Sequence, residues 1–111
     1  RIEQVMYNLV SNAVKYSPNG GEICIGGEVR EKEVVICVED EGGGIAPGDI
    51  HHIFDRFYRA DAAQKKTQGA GLGLYLSRAV IEAHKGKIWA DPRYSAGARI
   101  CFSLPRQQMD Q

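Results

Sequence analysis

Apolar positions at the start of the chain recur in steps of three and four. Ile2, Val5, Met6, Leu9, Val10, Ala13 and Val14 form one stripe, which predicts an amphipathic helix. Ser17-Pro18-Asn19-Gly20-Gly21 ends it, because proline cannot continue a helix and glycine opens the turn. Two strand-like runs follow, joined by Arg30-Glu31-Lys32. Glu22–Val29 alternates through Ile23 and Ile25, whereas Glu33–Glu39 has the near-continuous apolar core of a central strand. A glycine turn, Asp40–Ile45, leads to Pro47, which suits the first turn of a short helix through Ile50, Ile53, Phe54 and Phe57. Residues 59–68 are polar and without period, and read as a mobile connection. A second helix spans Leu72–His84, closed by Lys85-Gly86, and the strands Lys87–Asp91 and Ala98–Leu104 follow. The order α-β-β-α-α-β-β, with two hairpins, predicts an α+β fold: a two-layer sandwich with helices on one face of a sheet. One domain over residues 1–105 and a polar tail over 106–111 are expected.

Composition narrows the function. Fourteen Lys+Arg balance fourteen Asp+Glu, which argues against a nucleic-acid partner held by phosphate neutralisation. Apolar stretches are far shorter than the roughly 20 residues that span a bilayer, so this chain itself is expected to make no membrane contact. Glycine is the outlier: thirteen of 111 residues, against a usual share of about 7%, and most sit in short runs. The three cysteines, Cys24, Cys37 and Cys101, are odd in number, far apart and set among Val, Ile or Phe. They read as buried free thiols of a reduced cytosol rather than a disulfide framework or zinc site.

Three clusters carry candidate chemistry. Asn8, Asn12 and Lys15 lie at i, i+4 and i+7, on the side of the first helix away from its apolar stripe. They are either a solvated face or a row with a hard amide ligand for Mg²⁺ and an ammonium for phosphate. Two asparagines a turn apart in a helix need a reason, since asparagine is a poor helix former. Asp40-x-Gly42-x-Gly44 ends the buried strand. It is either an ordinary turn or a carboxylate that accepts from an exocyclic amine, with glycines letting the backbone approach a flat ring. Gly69-x-Gly71-Leu72-Gly73-Leu74 opens the second long helix. It lacks both the dinucleotide fingerprint and the P-loop lysine. Glycine amides at a helix start make an anion cradle, and the same glycines serve equally as a hinge.

The order of these clusters resembles the catalytic, ATP-binding domain of sensor histidine kinases, a branch of the GHKL (Bergerat-fold) ATPases. Gln4–Ser17 is similar to the family's N box, Asp40–Ile45 to its first glycine box, Ile53–Arg59 to its F box and Gly69–Leu74 to its second glycine box. The resemblance runs to Pro105 and implies a mixed sheet covered on one face by helices. The family's helix and strand before the N box are missing here, which marks the domain as N-terminally truncated. It implies ATP and Mg²⁺ as cofactors, with Asn12 as metal ligand and Asn8 beside it on the metal–phosphate side. It further implies that Lys15 and Tyr16 border the nucleotide, that Asp40 reads the adenine amino group, and that Gly42, Gly44 and Ile45 shape the base pocket. Phe54 and Phe57 would anchor a lid over residues 59–68, with Arg59 reaching the terminal phosphate. Gly69, Gly71 and Gly73 would hold phosphates, with Leu72 and Leu74 beside them. Asn8, Asn12, Lys15 and Arg59 form the implied catalytic set.

Departures from the family pattern are local: Ala70 replaces a frequent Thr or Ser, Lys85 a frequent glycine, and only Gly97 remains of a final Gly-x-Gly. Asn8 stands where the related ATP-hydrolysing enzymes carry a glutamate base, and a carboxamide cannot take a proton at neutral pH. This favours a histidine kinase over a hydrolase. The acceptor histidine is expected on a separate dimerisation domain of the same parent, with a response-regulator receiver domain downstream and a cytoplasmic location. His51, His52 and His84 read as surface or capping residues. An anti-sigma-type Ser/Thr kinase and a non-catalytic nucleotide sensor are the competing assignments.

Overall fold

The run Val34–Val38 is apolar on both faces because it is a central strand. The computed structural model describes residues 1–15, 17, 20–56 and 73–106. In it α1 (Ile2–Lys15) precedes strands β1 (Cys24–Val29) and β2 (Glu33–Glu39). After these come α2 (Gly73–Ala83) and strands β3 (Lys87–Ala90) and β4 (Arg99–Pro105). The strand order is β1-β2-β4-β3. The α+β two-layer architecture is present, with the refinement that each of the three ladders is antiparallel. Among the described residues no helix is long and apolar enough to cross a membrane.

Strand alternation divides the apolar residues between the two faces. Val38, Ile100, Phe102 and Leu104 point towards the helices, where they meet Val5, Leu9 and Ala13 of α1 and Ile81 of α2. Val35, Cys37 and Cys101, with Trp89 packed against them, occupy the opposite face. β4 is buried along most of its length because both its faces are used.

Three sequence expectations need correction. The short helix from Pro47 is, over its described part, a chain of turns. The amides of Asp49, His52 and Asp55 donate to the carbonyls of Ala46, Asp49 and His52 at 2.9, 2.8 and 2.9 Å. Steps of three residues still bring Ile53 and Phe54 into the core, which is why the apolar spacing resembled a helix. The cysteines are not three buried thiols: Cys37 and Cys101 form a disulfide, and Cys24 is free and exposed. Their distance in sequence conceals that they are directly opposed in the β2–β4 register. Arg106, assigned to the tail, is instead tied to the β1–β2 turn, its amide donating to the Lys32 carbonyl at 3.1 Å.

α2 ends by design of its last turn. The Gly86 amide donates to the Ile81 carbonyl at 2.9 Å, and Lys85 takes a left-handed backbone with φ 66°. That is the position where helices usually place glycine. At Gly86 itself a side chain would run into the Ser103 carbonyl of β4, so the helix end and the sheet touch through bare backbone.

Candidate functional site

Asp40 leaves the end of β2 with a buried side chain, 5% exposed. A buried carboxylate needs partners, and backbone amides supply them. Oδ1 accepts from Gly42 N at 2.8 Å and from Ala98 N at 3.1 Å. The Asp40 amide in turn donates to the Ala98 carbonyl at 2.9 Å. Neither bond to the carboxylate uses Oδ2. Two glycines make this possible. Gly44 has φ 79°, and Gly97 packs so closely that any side chain there would run into the Asp40 carbonyl. Half-buried Ile45 packs against the main core just beyond the turn. Beside this turn stands Tyr94, whose phenol is pushed up in pKa by lost hydration and by the nearby Glu39 and Glu41 carboxylates.

The asparagines of α1 form the second cluster. Asn8 donates its amide N–H groups to the Gly73 carbonyl at 3.3 Å and to Ser77 Oγ at 3.1 Å. Ser77, fully buried, donates to the same Gly73 carbonyl at 2.9 Å. Asn8 therefore joins α1 to the first turn of α2 through its nitrogen, and its oxygen is not part of these bonds. Asn12, half-buried one turn on, shares the Asn8 side of the helix, and Lys15 follows exposed at its end. Gly73 is the first residue of α2, and Leu74 is a half-buried core contact.

The structure thus brings Asn8 to Gly73, and Asp40 to Gly42, Gly44 and Gly97. The hydrogen bonds of Asn8 and those of Asp40 form two separate groups; the core of Leu9, Val38 and Ile100 is common to the elements that carry them. Tyr16, Phe57, Arg59, Gly69, Gly71 and Leu72 lie outside the described residues, as does the lid expected over 59–68. Two contributors escaped the sequence reading. Ser77 carries no motif, although a serine inside an apolar helical face is a signal of a buried hydrogen bond. The Ala98 amide is invisible in any sequence, since its role depends on strand register.

With this geometry in view, comparison with known proteins is informative. Residues 1–108 match the model of the histidine kinase-, DNA gyrase B- and HSP90-like ATPase family. The sensor histidine kinase WalK of Bacillus subtilis (strain 168) is 45% identical over 111 residues, which covers 97% of this chain and 18% of WalK. The chain therefore spans less than a fifth of the length of that relative. Among solved structures, the mycobacterial sensor histidine kinase MprB superposes with a TM-score of 0.81 at 31% identity, covering 92% of this chain and 70% of that one. Full-length ShkA in complex with AMPPNP gives 0.80 at 28% identity, covering 94% and 21%. Family match and fold agree: the chain belongs to the histidine kinase-, DNA gyrase B- and HSP90-like ATPase family.

Proposed function

We propose that this chain is the ATP-binding catalytic domain of a two-component sensor histidine kinase, working on the cytoplasmic side where ATP is available. The observation that carries this reading is the Asp40 carboxylate. Its Oδ1 is held by two backbone amides, and among the described residues no hydrogen bond reaches Oδ2, which suits an acceptor for an exocyclic amine. Gly42, Gly44 and Ile45 would border the base, and Gly73 with Gly69 and Gly71 would cradle phosphates at the start of α2. The AMPPNP complex of the related ShkA supports a nucleotide at such a site.

Mg²⁺ would neutralise charge on the β- and γ-phosphates, and carboxamide oxygens are suitable hard ligands for it. The residues fit: Asn8 has spent its nitrogen on α2, which leaves the oxygen for a cation, and Asn12 stands next along the same line. Lys15, Tyr16 and Arg59 would meet the phosphates. The Asn8 carboxamide cannot serve as a base for water, so the domain would present the γ-phosphoryl group to an outside nucleophile by positioning and charge neutralisation. That nucleophile is a histidine on a dimerisation domain, and a response-regulator receiver domain takes the phosphoryl group next.

The test mixes the chain with a separately made acceptor-helix domain and labelled MgATP. Label on histidine of the acceptor, and none on this chain alone, is the expected result. Steady phosphate release by the chain alone would point to a hydrolase instead, and nucleotide binding without any transfer to a sensor.

A further inference from the structure

The three cysteines share the sheet face opposite α1 and α2, which no helix covers among the described residues. In register across the four strands, Gly26, Cys37, Cys101 and Trp89 form one row, and Cys24 stands in the next row opposite Glu39. A cleft of about 380 Å³ opens onto this face, and Gly26, Cys37, Cys101, Trp89 and Arg99 all line it. A side chain at Gly26 would meet nothing within 4 Å, so β1 leaves space beside the pair, which is itself buried, Cys37 at 8% and Cys101 at 2% exposure. Arg99 places Nη2 3.7 Å from Cys37 Sγ. The same guanidinium also faces Glu39 and Asp91.

Position links this pair to the site above. Cys37 lies three residues before Asp40, and Cys101 three residues after Ala98. The disulfide therefore staples the two strands whose ends are joined by Asp40 N to Ala98 O and by Ala98 N to Asp40 Oδ1. A domain that consumes ATP works in a compartment that keeps thiols reduced, where a disulfide is characteristically transient and redox-sensing.

We propose that Cys37 and Cys101 form a reversible redox latch that tunes the Asp40 pocket, closed as the disulfide and open as two thiols. The pocket's ligand and the reducing compartment rest on the nucleotide reading above; the cross-link between the strands does not. Opening uses two equivalents of a low-molecular-weight thiol of the glutathione class. One thiolate attacks a sulfur of the pair, the S–S bond breaks, and its electron pair leaves on the other cysteine. A second thiolate then attacks the mixed disulfide and releases the protein thiolate. Two protons end on Cys37 and Cys101, and the small molecule leaves as its disulfide. Closing is the reverse, with that small disulfide as oxidant.

The experiment uses the full chain, equilibrated with oxidised or reduced glutathione. Maleimide labelling after acid quench and denaturation, read by mass, should count one reactive thiol (Cys24) in the oxidised sample and three in the reduced one. MgATP binding by calorimetry should weaken at least threefold on reduction. Amide hydrogen exchange at Asp40, Gly42 and Ala98 should speed up by a similar factor without nucleotide. The double variant Cys37→Ala/Cys101→Ala should lose the response to glutathione. Three reactive thiols in both samples, or a glutathione adduct without the cross-link, would overturn the latch. So would equal exchange at those three amides in the two states. Should neither state bind MgATP, the nucleotide reading fails, while labelling and amide exchange still decide the latch.

Discussion

In the proposed pocket Asp40 concentrates the chemistry in one side chain, and its two oxygens would have different tasks. Oδ1 is committed to the Gly42 and Ala98 amides, so it holds the turn, while Oδ2 is the recognition atom of the proposed pocket. Asp40→Asn separates these tasks. The amide oxygen can still accept from both backbone groups, but an N–H₂ then faces the adenine amine. Nucleotide affinity should fall ten- to hundredfold, about 1–3 kcal/mol, with a melting temperature within a few degrees of the parent. Unchanged binding by calorimetry would remove Asp40 from the pocket. Gly97→Ala tests the packing beside it. A methyl group there has no room against the Asp40 carbonyl, so stability in urea should drop by about 1–3 kcal/mol. A substitution with no cost would show that Gly97 does not pack against the Asp40 carbonyl in solution.

At the scale of elements, local conflicts locate where function or topology overrides preference. Lys85 holds a left-handed backbone at the end of α2, a conformation costing about 1 kcal/mol for a residue with a Cβ. Lys85→Gly should therefore stabilise the chain by roughly 0.5–1 kcal/mol in denaturant titration, and a loss of stability would mean that the lysine side chain is itself a contact. Ser77→Ala removes both the acceptor for Asn8 and the donor to Gly73. It should cost about 1 kcal/mol and loosen the α1–α2 contact, detected as faster amide exchange in the first turn of α2. Legibility follows the same division. β2 was readable to the residue because its apolar run is unbroken, and α1 because its stripe is regular. The segment after Pro47 misled because turns linked every three residues bury Ile53 and Phe54 with nearly helical spacing. Asp40 stood out by its glycines, yet Ala98 and Ser77 did not, since backbone partners and tertiary hydrogen bonds leave no pattern in sequence.

For the molecule as a whole, the disulfide is a long-range covalent constraint, tying β2 to β4 across 64 residues. The enclosed segment carries the turns after Asp40, all of α2 and β3. Cross-linking a loop of this size removes disorder chiefly from the unfolded chain, worth roughly 2–4 kcal/mol. That is a large fraction of the 5–15 kcal/mol that typically holds a domain together. Reduction should therefore lower the urea midpoint substantially, and the double variant Cys37→Ala/Cys101→Ala should match the reduced parent. Cys24→Ser should change neither, because the free thiol is exposed and lies outside the cross-link. A reduced chain as stable as the oxidised one would mean that the β2–β4 ladder and the core around Phe102 hold the enclosed segment by themselves. The pair at Cys37 and Cys101 would then be an incidental consequence of strand register.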